Sequence, residues 1–232
     1  MRIAIMQPYF FPFVGYFQLV NAADKFVFYD DVHFIKRGYI NRNAILVNGA
    51  KKRITISLKE ASQNKLINEI AIARGNDKLL KTIRMAYAKA PFFRDAFPVV
   101  ERVFENIAED VSIANAAGSS VVKVAEYLGL NTRFEYSSQQ YPDSRGKEKA
   151  ARLIQICRQN GAKTYMNAAG GKELYTKEAF RQHGVELRFI ENHLKEYDQF
   201  GNDFIPYLSI IDVMMFNSPE EIRKMLDDYQ LE

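Results

Sequence analysis

The sequence predicts an α/β fold, Rossmann-like, with a largely parallel sheet and a helical middle layer. Three observations carry this. Residues 1–31 run strand, loop, helix, strand; the last third alternates short apolar strands with helices at crossover spacing; and between them apolar residues recur at helical spacing. The 232 residues, 47% hydrophobic, suffice for a sizeable core. With no internal repeat and no low-complexity linker, residues 1–232 read as a single compact unit. It comprises an α/β N-terminal part with a basic loop (1–75), the helical layer (76–130) and an α/β C-terminal part (131–232).

Taken in order, residues 3–6 are a buried strand stopped by Gln7 and Pro8. An aromatic loop with Pro and Gly spans 9–16, an apolar helix 17–23, and a second strand 26–29. Residues 45–47 and 53–58 read as strands joined at Asn48-Gly49, a strong hairpin signal. Leu79, Leu80, Ile83 and Tyr87 then share one helical face, Phe97, Val100, Val103, Phe104 and Ile107 a second, and Val121, Val122, Ala125 and Leu128 a third. Pro91, Pro98, Asp110 and Gly129 are breakpoints between or near these helices. Strands follow at 132–137, 163–167 and 186–190, separated by helices at 147–159 and 174–183. The loop 167–172 is either a tight strand-to-helix turn or an anion-holding one; it meets neither phosphate-loop nor dinucleotide spacing. Ser218-Pro219-Glu220-Glu221 combines a capping box with Pro at the first helical position and opens a final helix to about residue 228.

No apolar run is long enough to cross a bilayer, and Gln7, Pro8 and Pro12 interrupt the region a signal peptide would need. A cytoplasmic protein without membrane insertion is expected. The single cysteine, Cys157, excludes an intramolecular disulfide and a multi-thiolate metal site, and its apolar helical surroundings make it a core residue.

Charge points to the function. The chain is only +4, yet residues 32–59 hold Lys36, Arg37, Arg42, Lys51, Lys52, Arg53 and Lys59 with no carboxylate. A local cation cluster suits a phosphate, a nucleotide or a nucleic-acid backbone, although a solvated basic face is the plain alternative. In open α/β sheets ligands sit beyond the carboxyl ends of the strands, here residues 7–15 and 30–42. Gln7 and Tyr9 follow the first strand and carry polar tips; the other rings of the run Phe10, Phe11 and Phe13 belong in the core. Asp30, Asp31 and His33 could hold a metal, but adjacent strand residues face opposite ways, so a carboxylate orienting Lys36, Arg37 or Arg42 is preferred. Arg forks suit phosphate oxygens, Asn41 and Asn43 add amide groups, and Tyr39 can stack on a base or sugar.

Gln7-Pro8-Tyr9-Phe10-Phe11-Pro12 with Gly15-Tyr16, then the stretch from Asp31 through His33, Lys36, Arg37, Gly38, Tyr39, Asn41 and Arg42 to Asn43, and later Ser209, Asp212, Phe216 and Asn217, resemble the WbqC-like family. The resemblance runs from residue 1 to about residue 226. That family is bacterial and is associated with gene clusters for O-antigen and other surface glycans. The resemblance therefore implies a cytoplasmic step in sugar modification, on a nucleotide-activated amino sugar. In layout the first strand, the loop ending in Gly15-Tyr16 and the basic loop are also loosely similar to nucleotidylyltransferases of the HIGH-motif type. The paired histidines of those enzymes are missing here.

The expectation is a transferase of surface-polysaccharide biosynthesis that adds an acyl or aminoacyl group to an amino sugar on a nucleotide diphosphate. Asp31, Lys36 and Asn41 are the candidate catalytic residues; Gln7, Tyr9, Arg37, Tyr39, Arg42, Asp212 and Asn217 the substrate-binding ones; no metal ligand is assigned. Asp212 alternatively braces its helix. The donor would be a carrier such as a phosphopantetheine thioester, with a carrier protein as partner beside the nucleotide sugar or another phosphorylated small molecule. Nucleic acid is the less favoured partner. The alternatives are a non-catalytic nucleic-acid or sugar-phosphate binding protein, and a nucleotidyltransferase.

Overall fold

A computed structural model describes residues 1–232. Eight strands, β1 (Arg2–Met6), β2 (Lys25–Phe28), β3 (Arg42–Val47), β4 (Ala50–Thr55), β5 (Arg133–Tyr136), β6 (Thr164–Ala168), β7 (Glu186–Asn192) and β8 (Tyr229–Leu231), form two sheets. The main sheet has the order β5-β2-β1-β6-β7-β8, and β3-β4 is a separate antiparallel hairpin. All pairings from β5 to β7 are parallel; β8 alone runs antiparallel, on the β7 edge. This is the mixed, mostly parallel architecture expected of a Rossmann-like fold.

The nine helices are α1 (Val14–Ala22), α2 (Asp77–Tyr87), α3 (Phe93–Glu105), α4 (Ile113–Tyr127), α5 (Ser137–Gln140), α6 (Lys149–Gln159), α7 (Lys177–Arg181), α8 (Ile210–Phe216) and α9 (Pro219–Asp227). Strand periodicity of two sorts them into layers. Ile3, Ile5, Val27, Tyr165, Leu187 and Phe189 meet Leu153, Ile156 and Cys157 of α6 and Phe180 of α7 on one face. Ala4, Phe26, Phe28, Met166 and Ile190 face the other way, onto α1, the helical layer α2–α4, and α8–α9. No helix is long and apolar enough to cross a membrane.

From β1 the chain moves outward to β2 and then β5; from β6 it moves the opposite way to β7. The order reverses between β1 and β6, which makes their carboxyl ends the crevice of the sheet.

Several boundaries differ from the expectation. Val14, Gly15 and Tyr16 belong to α1 rather than to the loop. Asn48 (φ 50°) and Gly49 (φ 72°) form a two-residue left-handed turn, so Val47 pairs directly with Ala50 and the strand begins at Ala50, not Arg53. Pro98 lies inside α3 rather than at a break. The expected 174–183 helix shrinks to α7, because a 3₁₀ turn at Ala169–Gly171 takes up the start of that crossover. Here the backbone closes tightly: a Cβ at Gly171 would lie 2.3 Å from Asn167 Nδ2. The final helix carries both halves of its capping box, Ser218 and Glu221.

Candidate functional site

Two adjoining cavities open at the crevice. The deeper, of about 360 Å³, is lined by Met6 and Tyr9 at the end of β1, Phe13, Gly15, Tyr16 and Leu19 at and along α1, Ala168 and Asn192 at the ends of β6 and β7, and Tyr39, Asn43 and Tyr207. Its floor is buried, with Tyr16 at 4% and Leu19 at 1% exposure; its rim is open, with Tyr39 at 59% and Tyr207 at 61%. Tyr9 bridges the two, its ring 5.5 Å from Tyr16 and 5.9 Å from Tyr39 between centroids. Burial, with a smaller contribution from Tyr39, raises the Tyr9 hydroxyl above its usual range.

Gly15 permits this shape. A Cβ there would lie 2.4 Å from the Phe13 ring and 2.7 Å from Asn192 Cγ, so any side chain would push one lining group out of place. The pocket's amide donors are already committed. Asn43 Nδ2 donates to Phe11 O (2.6 Å) and Phe10 O (3.4 Å), and Asn192 Nδ2 donates to Gly15 O (3.1 Å) and Gln18 Oε1 (2.7 Å). The Tyr16 hydroxyl donates to Gln7 O at 2.8 Å.

The second cavity, a cleft of about 170 Å³, shares Tyr39, Asn43 and Tyr207 with the first and adds Arg37, Arg42, Lys51 and Arg53. The hairpin register explains the grouping. Arg42 pairs with Thr55, Ala44 with Arg53 and Leu46 with Lys51, and directly opposed residues share a face. Arg42, Lys51 and Arg53 therefore stand on one side, and the small Ala44 leaves room between them. Arg37 joins from the preceding loop at φ 64°, a left-handed conformation costing an arginine about 1–2 kcal/mol. Arg42 Nε donates to Gly38 O at 3.1 Å, which leaves its two terminal amino groups free. None of the four cations is among the ion pairs. Desolvation first, then the charges of Arg53 and Arg37, push the Arg42 pKa down.

Of the ten residues singled out in the sequence, Tyr9, Tyr39, Arg37 and Arg42 come together here. The rest take other positions. Asp31 orients none of Lys36, Arg37 or Arg42; its fully buried carboxylate takes two 2.6 Å bonds from Arg152 Nη2 and one of 2.8 Å from Arg145 Nε. Strand β2 ends at Phe28, so the chain turns Asp31 toward α6, away from the hairpin. Burial alone would raise its carboxyl, but hydrogen bonds from Ser137, Arg145 and Arg152 outweigh that and lower it. Asp30 accepts from Ser138, at N and Oγ, and from Ser137, whereas His33 is exposed. Asn41 lies outside both cavities and ties the base of the hairpin, donating to Ile56 O at 2.9 Å. Lys36 is exposed in the loop beside the cleft, and Gln7 contributes its backbone carbonyl to Tyr16.

Asp212 likewise lines neither cavity. It is fully buried at the start of α8 and accepts from Tyr87 (2.6 Å), Tyr197 (2.7 Å) and Gln199 (2.8 Å), which ties α8 to α2 and to the 197–199 segment. Burial raises its carboxyl in spite of those donors. Asn217 donates to Val213 O and closes the same helix. Ala168, Asn192 and Tyr207 were not foreseen, nor were Lys51 and Arg53 as partners of Arg42. Signals for most of them existed. Ala168 and Asn192 follow the expected strand ends at 167 and 190, and counting outward from Asn48-Gly49 already pairs Ala44 with Arg53.

Comparison with known proteins agrees with these motifs. No solved structure matches the chain. An uncharacterized protein of Mycobacterium tuberculosis, Rv1507c, is 26% identical over 222 residues, which cover 93% of each chain. The model of the WbqC-like protein family matches residues 7–224, a span that takes in the aromatic loop, the basic hairpin and α8, and the chain belongs to that family.

Proposed function

We propose that the protein is a transferase of bacterial surface-polysaccharide biosynthesis, which moves an acyl or aminoacyl group from a phosphate-bearing thioester to an amino sugar on a nucleotide diphosphate. The observation that carries this is the cleft: Arg37, Arg42, Lys51 and Arg53 stand unpaired beside an aromatic pocket at the reversal point of a parallel sheet. Four cations without a carboxylate fit a diphosphate, whose oxygens guanidinium forks bind in pairs.

In this reading the cleft holds the diphosphate and brings the sugar to the rim formed by Tyr39 and Tyr207. The sugar's amine nitrogen attacks the thioester carbonyl carbon. A C–N bond forms and the C–S bond breaks. The thiolate departs with the bonding pair and takes up the proton the amine releases, giving an amide and a thiol. The two cavities are lined by no thiol, imidazole or carboxylate and by no hydroxyl other than tyrosine. That lining favours direct transfer within a ternary complex, in which positioning supplies most of the acceleration.

The test is a thermal-shift screen at fixed salt against nucleotide sugars, nucleoside triphosphates with and without magnesium, coenzyme A and short single-stranded DNA and RNA. It is repeated on Arg42→Ala. Stabilisation by a nucleotide sugar that the variant loses is the expected result. Stabilisation by oligonucleotides alone, weakening steeply as salt rises, overturns it in favour of a nucleic-acid binding protein.

A further inference from the structure

We infer that the deep pocket receives the apolar acyl end of the donor, as a short hydrocarbon chain, and takes neither the sugar nor a charged aminoacyl group. This rests on the transferase reading and narrows its substrate class. A sugar ring in a pocket needs several hydrogen-bond partners, because each hydroxyl buried without one costs free energy. The floor has few to give: the amide nitrogens of Asn43 and Asn192 are spent on carbonyl groups of the protein, the Tyr16 hydroxyl is spent on Gln7 O, and the uncommitted hydroxyls, those of Tyr9, Tyr39 and Tyr207, belong to the wall and the rim. A primary ammonium, as on an aminoacyl group, is held best by a carboxylate, and none lines the cavity.

Shape fixes the orientation. The pocket opens at the rim formed by Tyr39, Asn43 and Tyr207, where the cleft begins. With the sugar's diphosphate in that cleft, the donor enters across the rim acyl end first, toward Tyr16 and Leu19, which form the buried floor, and its polar stem stays outside. Its carbonyl then lies at the shared rim, where the cleft delivers the sugar's amine. At about 360 Å³ the cavity stands at the small end of ligand pockets and has room for a chain of up to about ten carbons, not for one of membrane-lipid length.

The experiment measures affinity by titration calorimetry for coenzyme A and its acetyl, butyryl, hexanoyl and decanoyl thioesters. β-Alanyl-coenzyme A, which carries an ammonium where butyryl has a methyl, is measured alongside, and a nucleotide sugar is titrated separately. Affinity should rise by about fourfold per methylene over the short chains and then stop rising or fall. The β-alanyl thioester should bind at least about tenfold more weakly than butyryl, since its ammonium loses water without gaining a partner. In Ala168→Leu, which fills the end of the pocket at β6, the maximum should move to a shorter chain; the wild-type series stands alone if that variant does not fold. A flat series, or a β-alanyl thioester that binds as well as butyryl, overturns the inference while leaving the transferase reading in place if the nucleotide sugar binds. Failure of both the nucleotide sugar and every thioester to bind removes that reading and the inference with it.

Discussion

Two arginine clusters stand at the carboxyl edge of this molecule and differ in how their charge is met. Around Asp31, Arg152 and Arg145 are paired with a buried carboxylate, and Arg152 also lies 4.6 Å from the centre of the Tyr29 ring. Around the hairpin, Arg37, Arg42, Lys51 and Arg53 are near one another and paired with nothing. The first cluster has solved its electrostatics internally and holds β2 to α6. The second is left for something outside the chain to solve. The first has two arginines, one of them buried, and a carboxylate between them; the second has three arginines and a lysine, mostly exposed, and no carboxylate.

The sharpest way to break this comparison is Arg152→Ala. It strands the Asp31 charge, with only the half-exposed Arg145 left beside it, and should cost about 3–5 kcal/mol in urea unfolding. A loss below 1 kcal/mol would mean the first cluster is no brace. Acid should show the same cluster. The Asp31 carboxyl is lowered in the folded state, so its contribution is complete above the unfolded value near 3.8 and disappears as pH falls below that. Asp31→Asn should therefore have a shallower loss of stability below about pH 4 than the parent. Asp212 runs the other way, because its folded pKa is raised: it favours the fold at low pH and loses that contribution as pH rises from 3.8 through its folded value.

Smaller again is Tyr87→Phe. It removes a hydroxyl that both donates to Asp212 and accepts from Leu46 N, at about 1–3 kcal/mol. In the unpaired cluster the order of effects should invert. Arg53→Ala should alter stability by no more than about 0.5 kcal/mol, with relief of repulsion offsetting lost packing, yet weaken binding of a nucleotide sugar about tenfold or more. If instead it costs several kcal/mol of stability and leaves binding unchanged, the two clusters have been read the wrong way round.

The sheet was legible because its signals are local. Short apolar runs bounded by Pro, Gly, Asn or Asp mark β1, β2, β6 and β7, and the Asn48-Gly49 turn marks the hairpin. The partners of buried charges were not, since Asp31 meets Arg152 across 121 residues and Asp212 meets Tyr87 across 125. Nothing in the local spacing of Asp31 separates Arg152 from the nearer Lys36 and Arg37. The cleft lies between these cases. The charge excess of residues 32–59 was visible, but which cations share a face depends on register, and the strand start was placed three residues late. The edge strand β8 is not legible because its three residues, none of them buried, carry no pattern of their own.

Gln18 links the pocket to a distant part of the chain. It is fully buried, its Nε2 lies within hydrogen-bond reach of the carbonyls of His193, Met225 and Asp228, and its Oε1 accepts from the Asn192 that lines the pocket. Turning the Asn192 amide over would bring its oxygen against another oxygen, so its orientation is dictated by backbone some thirty positions further along. A deletion reaching Met225, which lines neither cavity, should therefore be felt as a change in which chemical groups the pocket tolerates.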